Sequence, residues 1–329
     1  MQVKKKQKTI EHAAGCNDTE CKGCAVGEID IHLTTQDGSK LSPHDIYYAA
    51  MEELEKQTLS EQDIDKQTHS SIVQKLFEMA VEEFERLQIN DLVYAKCLYD
   101  MGVFLHVEDW FHQAEHELEK FLKSSKENSK NHEGWLLLGK VYLQIARARF
   151  KDDEETEQDE VEAENVHRAK RAFKQALELK DSPSYTLAAS SAFLDHALLQ
   201  KSHRLDSSIV INTLKTALKL THNQHNRISG TCLFHLASIE SHTLEPDLKR
   251  ALSNVKKSIK MLEYPEKATD YQLLAQAWLL KSSLEVDDDD KAIEAFDEGA
   301  KCLQNALLID PDNEHVKQQL IDMELIDDE

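Results

Sequence analysis

Proline and glycine are scarce, five and nine in 329 residues, and so few helix breakers leave little room for a turn-rich β architecture. Aromatic residues make up only 6%, against 40% hydrophobic residues, a balance that suits stacked helices better than an aromatic-rich sandwich. No apolar run approaches the roughly 20 residues needed to cross a bilayer. No secretory apolar region follows the first methionine either, so a soluble intracellular protein without a membrane partner is expected. Basic charge is in deficit: 39 Lys and Arg face 61 Asp and Glu, and the formal charge of −22 repels phosphate backbones. Basic protein surfaces are therefore expected as partners, and direct nucleic-acid contact is not. Phosphate-cradling loops of the G-x-x-x-x-G-K-[ST] or G-x-G-x-x-G type are missing, as is a G-x-S-x-G nucleophile turn. Six cysteines in a chain of this type read as reduced thiols or metal ligands rather than disulfides. Cys97, Cys232 and Cys302 sit inside apolar helical patterns and are expected in the core.

Against these absences stands one persistent pattern, apolar residues at helical spacing from residue 43 almost to the C-terminus. It opens on "SPHDIYYAAMEELEKQ", where Ser42 is a good N-cap, Pro43 fits the first helical position and Asp45 lies in the first turn. "WLLLGKVYLQIA" then places Trp135, Leu138, Gly139 and Tyr142 at the W-x2-L-G-x2-Y spacing of a tetratricopeptide helix A. The small residue admits the paired helix, and the large ones fill the space between the two. Ala169, Phe173 and Ala176 supply the matching helix B. A second copy has Leu98, Met101, Gly102 and Leu105, then Ala114, Leu118 and Phe121; a third has Tyr271, Leu274, Ala275 and Trp278, then Gly299, Leu303 and Ala306.

Degenerate pairs are expected over 43–57 with 71–88, 184–202 with 206–221, and 226–242 with 246–262. The sum is about six pairs and a capping helix at 312–326. The fold class expected is all-α, a tetratricopeptide-like solenoid over residues 43–326 with A helices lining its inner face. Residues 1–42 read as a flexible, mostly unstructured tail. Acidic inserts are expected as loops near 152–164, where "DDEETEQDEVEAE" has nine acids in thirteen residues, and near 286–290.

Repeat register points partner contacts to A-helix positions facing the groove: Lys96, Tyr99, Val103 and His106, then Leu136, Lys140 and Gln144. At the tail, Lys4, Lys5, Lys6 and Lys8 form a basic cluster that reads either as a nuclear-import signal or as a solvated charge run. "GCNDTECKGC" places Cys16, Cys21 and Cys24 at C-x4-C-x2-C spacing. With His32 or His12 as fourth ligand these thiolates would hold a structural Zn²⁺. Iron–sulfur ligation lacks a nearby fourth cysteine, and a metal-free tail with no cofactor is the expectation. "HQAEH", His112 to His116, matches a zinc-peptidase string. It falls on a helix B, no third ligand follows, and a zinc hydrolase using His112, Glu115 and His116 is kept only as a remote alternative.

The Lys-rich start, the acidic inserts and above all "DLKRALSNVKKSIKMLEYPEKATDYQLLAQAWLLKSSLEVDDDDKAIEAF" carry a resemblance over residues 43–311. The chain resembles the enhancer-of-translation-termination family of fungal nuclear proteins, whose relatives are also called negative regulators of a 2-oxoglutarate/Fe(II) prolyl hydroxylase. The resemblance implies a non-enzymatic nuclear adaptor, present also in the cytoplasm. It would bind that hydroxylase, with import or translation factors as further partners, and influence translation termination. The Cys16/Cys21/Cys24 tail has no counterpart in that pattern. A rival reading is a chaperone-linked repeat protein or general interaction scaffold. A carboxylate-clamping repeat resembles one with Asn directly after the helix A glycine, whereas Val103 and Lys140 stand there.

Overall fold

Among the described residues the helical pattern is realised as thirteen α-helices. The computed structural model describes residues 4–5, 31–32, 40–59, 63–148, 150, 158–221, 227–243 and 245–326. The helices are α1 (Pro43–Leu59), α2 (Asp63–Arg86), α3 (Leu92–Leu105), α4 (Glu108–Ser124), α5 (His132–Ala148), α6 (Gln158–Leu179) and α7 (Pro183–Ser202). There follow α8 (Ser207–Leu220), α9 (Arg227–Ser241), α10 (Leu248–Met261), α11 (Ala268–Leu284), α12 (Asp289–Ile309) and α13 (Glu314–Asp322). A two-residue antiparallel bridge joins β1 (Lys4–Lys5) to β2 (Ile31–His32).

Two compact units divide the chain: 1–148 with 160–172, and 149–159 with 173–329. In the first, α1 packs on α2, α3 on α4, and α4 on α5. In the second, α7 packs on α8, α9 on α10 and α11 on α12, each pair stacking on the next, with α13 closing against α12. This is the all-α, tetratricopeptide-like arrangement that the repeats demand.

The helix B positions explain why these pairs hold. Ala80 and Phe84, Ala114 and Leu118, Ala169, Phe173 and Ala176, Leu214 and Ala217, Ala251 and Val255, and Leu303 and Ala306 are all fully buried. Small residues among them let the backbones approach, and large ones fill the remaining space. Gly102 shows how close that approach is: an added Cβ would lie 2.8 Å from the Phe111 ring of α4. Gly230 is held the same way against Leu262, at 2.7 Å, and marks the fifth pair, where the sequence pattern is faint.

A few of the acids serve as helix caps. Asp91, Asp206, Asp247 and Asp288 accept from the backbone N–H of Tyr94, Ser208, Arg250 and Lys291 at 2.7–3.1 Å. Ser42 and Asp45 cap α1 reciprocally, Ser42 Oγ lying 2.6 Å from Asp45 Oδ2. Each such cap stabilises its helix by about 1 kcal/mol. Three boundaries differ from expectation. Helix α2 starts at Asp63 rather than 71. Gln158–Glu164 of the acidic run form the first turns of α6, and Asp289 and Asp290 already belong to α12. Carboxylates favour the positive N-terminal end of a helix, so acidic stretches ahead of an apolar pattern are drawn into it. No helix among the described residues is long and apolar enough to cross a membrane.

Candidate partner-binding site

In the first unit the A helices α1, α3 and α5 bring together several of the expected contact residues. Tyr47, almost fully buried on α1, donates its hydroxyl to Asp100 Oδ2 of α3 at 2.7 Å. Burial raises the Asp100 pKa, while the Tyr47 hydrogen bond and the charges of Lys96 and Lys140 act the other way. Lys140 of α5 is half-buried; its pKa is lowered by desolvation and by Lys96, against the pull of Asp100. Tyr99 is hydrogen-bonded to Gln144 and packs on the Phe111 ring at 6.0 Å.

The structure thus gathers Lys96, Tyr99 and Lys140 near Asp100, with Gln144 bonded to Tyr99. Leu136 is half-buried, and Val103 and His106 are exposed. His106 lies one residue beyond α3, where it caps the helix in the left-handed conformation at φ 55°. The Tyr47–Asp100 pair was not foreseen; its only sequence trace is the "IYY" of the first helix.

In the second unit the corresponding A helices, α7, α9 and α11, enclose a cleft of about 470 Å³. Ser191, Asp195 and Leu198 face it from α7, Thr231 and His235 from α9, and Gln272 and Gln276 from α11. Next to it, Lys201 Nζ donates to His235 Nδ1 at 3.4 Å. Burial, with the neighbouring Lys201 charge, pushes the His235 pKa down to about 4, so the ring is neutral and its Nδ1 accepts the hydrogen bond from the ammonium. The Lys201 pKa is lowered by burial. At the cleft edge Arg227 is held by Asp270 at 2.8 Å. These residues were missed, although one signal was legible. Gln272 and Gln276 follow Tyr271 at the same offsets at which Leu136 and Lys140 follow Trp135.

A further hollow of about 510 Å³ lies between α4 and α5, lined by Leu122, Lys126, Trp135, Leu138 and Tyr142 among others. The Trp135 indole N–H donates to the Ser129 carbonyl at 2.9 Å, which fixes the ring. Beside it Arg168 of α6 stacks over the Tyr142 ring at 4.1 Å and bonds Glu115 at 2.5 Å. The "HQAEH" string is thereby explained differently from a metal site. Glu115 Oε1 bonds Arg168 while its Oε2 lies 3.7 Å from His112 Nδ1, and His112 Nε2 pairs along its own helix with Glu108 at 3.3 Å. Among the described residues no group of three or more His, Cys, Asp and Glu is arranged to hold a metal.

Cys97, Cys232 and Cys302 are buried free thiols, as expected for core residues. Burial pushes the Cys232 thiol up to about 12 and Cys302 to about 11, which keeps them protonated and unreactive. Cys16, Cys21 and Cys24, and Lys6 and Lys8, lie outside the described residues. Of Lys4, Lys5 and His32 only the backbone pairing is described, Lys4 opposite His32.

With the fold and its A-helix faces in hand, the chain can be set beside solved structures. The S. pombe nuclear import adaptor Nro1 superposes with a TM-score of 0.56 at 13% identity, over 80% of this chain and 92% of that one. A second structure, described as the hypoxic regulator of sterol synthesis Nro1, a nuclear import adaptor, gives 0.51 at 12% identity, over 84% and 91%. The likeness is one of fold. No family model and no curated protein sequence matches the chain.

Proposed function

We propose that this chain is a non-enzymatic adaptor that holds protein partners against the A-helix faces of its repeats. The observation that carries the reading is the second unit's open cleft, into which the A helices α7, α9 and α11 turn the polar side chains of Ser191, Thr231, Gln272 and Gln276. Surfaces of that kind bind by hydrogen bonding at a preformed site. The Nro1 fold supports an adaptor role, since the protein that shares it is a nuclear import adaptor.

The finer reading rests on the sequence resemblance. The partner is a 2-oxoglutarate/Fe(II) prolyl hydroxylase, the site of action is the nucleus, and translation termination is affected. Lys4, Lys5, Lys6 and Lys8 serve nuclear import in this reading. Structural Zn²⁺ at Cys16, Cys21, Cys24 and His32 would only order the tail, and metal analysis of the purified chain tests it.

Affinity capture from fungal lysate with mass spectrometry tests the partner. The expected result is a prolyl hydroxylase with import or ribosomal proteins, while a chaperone in their place contradicts it. Lys96→Glu combined with Val103→Glu, both at exposed positions of that face, should weaken that capture without lowering the melting temperature. Undiminished capture would remove the first unit's face from the interface.

A further inference from the structure

The α7 stripe that faces the second unit's cleft runs Ser191, Asp195, Leu198, and Lys201 is its next step, one helical turn on. Opposite, α11 presents Gln272 and Gln276, both half-buried. Their carboxamides and the Ser191 hydroxyl have no hydrogen-bond partner among the described residues. A carboxamide carries two donors and an acceptor oxygen with two lone pairs, so its unused capacity in a half-buried site is large.

The spacing of the two glutamines selects the shape of a ligand. Side chains four apart on a helix stand about 6 Å from one another. Peptide units that face the same way along an extended chain repeat at about 6.7 Å. Each glutamine therefore meets every second peptide unit, its NH₂ donating to a carbonyl and its oxygen accepting from an N–H. A helical ligand has those backbone groups already paired and gains nothing from the ladder.

Charge selects the side chain. Lys201 is a half-buried cation whose contact is a neutral imidazole nitrogen at 3.4 Å, with no carboxylate in reach among the described residues. This is unexpected in a chain with 61 acids. Arg227 is already neutralised by Asp270, which leaves Lys201 as the cation open to a ligand, so the cleft favours a single carboxylate rather than an acidic run.

We propose that the α7/α9/α11 cleft binds an extended protein segment, gripped through its backbone by Gln272 and Gln276, with one Asp or Glu side chain seated on Lys201. The inference deepens the adaptor reading and rests on it.

The test pans a display library of random 12-residue peptides on the full chain and then measures the selected synthetic peptide by fluorescence anisotropy. Selected peptides should share one Asp or Glu. Replacing it by Asn or Gln, Lys201→Met, and Gln272→Ala with Gln276→Ala should each weaken binding about tenfold, the loss of one or two hydrogen bonds. N-methylating alternate backbone amides of the peptide should weaken it as much, and Lys201→Arg, which keeps the charge, should retain it. Peptides that bind the variants as tightly as the parent, or no enrichment at all, would overturn the inference. The same proteins captured equally by parent and by the combined variant would remove the cleft while leaving the adaptor reading in place.

Discussion

Tyr47 and Asp100 in the first unit, and Gln272 and Gln276 in the second, occupy A helices of the same repeat type yet treat their polar atoms oppositely. In the first unit the hydroxyl of Tyr47 ends on Asp100, and Tyr99 on Gln144. The second unit leaves its two glutamines and Ser191 without hydrogen-bond partners among the described residues. A polar group that is already satisfied inside the protein stabilises the fold; one that is half-buried and unsatisfied is available to a ligand. The internal bonds of the first face are therefore expected to matter to stability, and the open polar groups of the second to recognition.

The largest effect tests whether the two faces rest on equally firm scaffolds. Phe84→Ala and Phe193→Ala each remove a fully buried ring and should cost about 3–5 kcal/mol in urea unfolding. A much smaller loss for Phe193 would mean that the second unit is loosely packed and its cleft poorly preformed.

Acidification should separate the faces next. The His235 pKa, near 6.5 in the unfolded chain, falls to about 4 in the folded one. Between those values the unfolded state binds the extra proton. The stability is present above pH 6.5 and is lost as pH falls toward 4, by at most about 3 kcal/mol. His235→Gln should remove that part of the slope from the pH dependence of the urea midpoint. An unchanged slope would show that His235 takes no part in it.

A smaller loss is expected from Asp100→Ala. It strands the buried Tyr47 hydroxyl and should cost about 1–3 kcal/mol, with Asp100→Asn milder because an acceptor remains. Gln272→Ala with Gln276→Ala comes last, within about 0.5 kcal/mol, since no internal bond is broken. Thermal denaturation of the three variants side by side checks the ordering. Glutamine variants as damaging as Asp100→Ala would erase the contrast between the faces.

Much of the fold was legible because helix B burial is periodic. Ala114 with Leu118, and Ala169 with Phe173, repeat a small–large spacing that only a packed helix pair explains. The degenerate pairs were readable for the same reason, Leu214 with Ala217 and Ala251 with Val255 being fully buried at that spacing. Helix starts were less legible. Polar residues 63–70 carry no periodic signal, and the acids at 158–164 look like a loop until the dipole of α6 is considered.

At the site, register pointed to A-helix faces and, applied to Tyr271, reaches Gln272 and Gln276. It did not reach Lys201 with His235, or Tyr47 with Asp100. Those pairs join different helix pairs, and nothing in one helix's sequence states what its neighbour presents. Lys140 shows the same limit: its register is that of an exposed groove residue, but burial lowers its pKa against the pull of Asp100.

The central claim is that partners are held on A-helix faces. Site-specific photocrosslinking tests it most directly, with benzoylphenylalanine at position 276 on α11, at position 140 on α5, and at the exposed position 219 on α8, in the chain bound to its co-purified partner. The account predicts crosslinks to that partner from position 276, and none from position 219. Crosslinks from position 219 alone, or with equal yield from both, would contradict it.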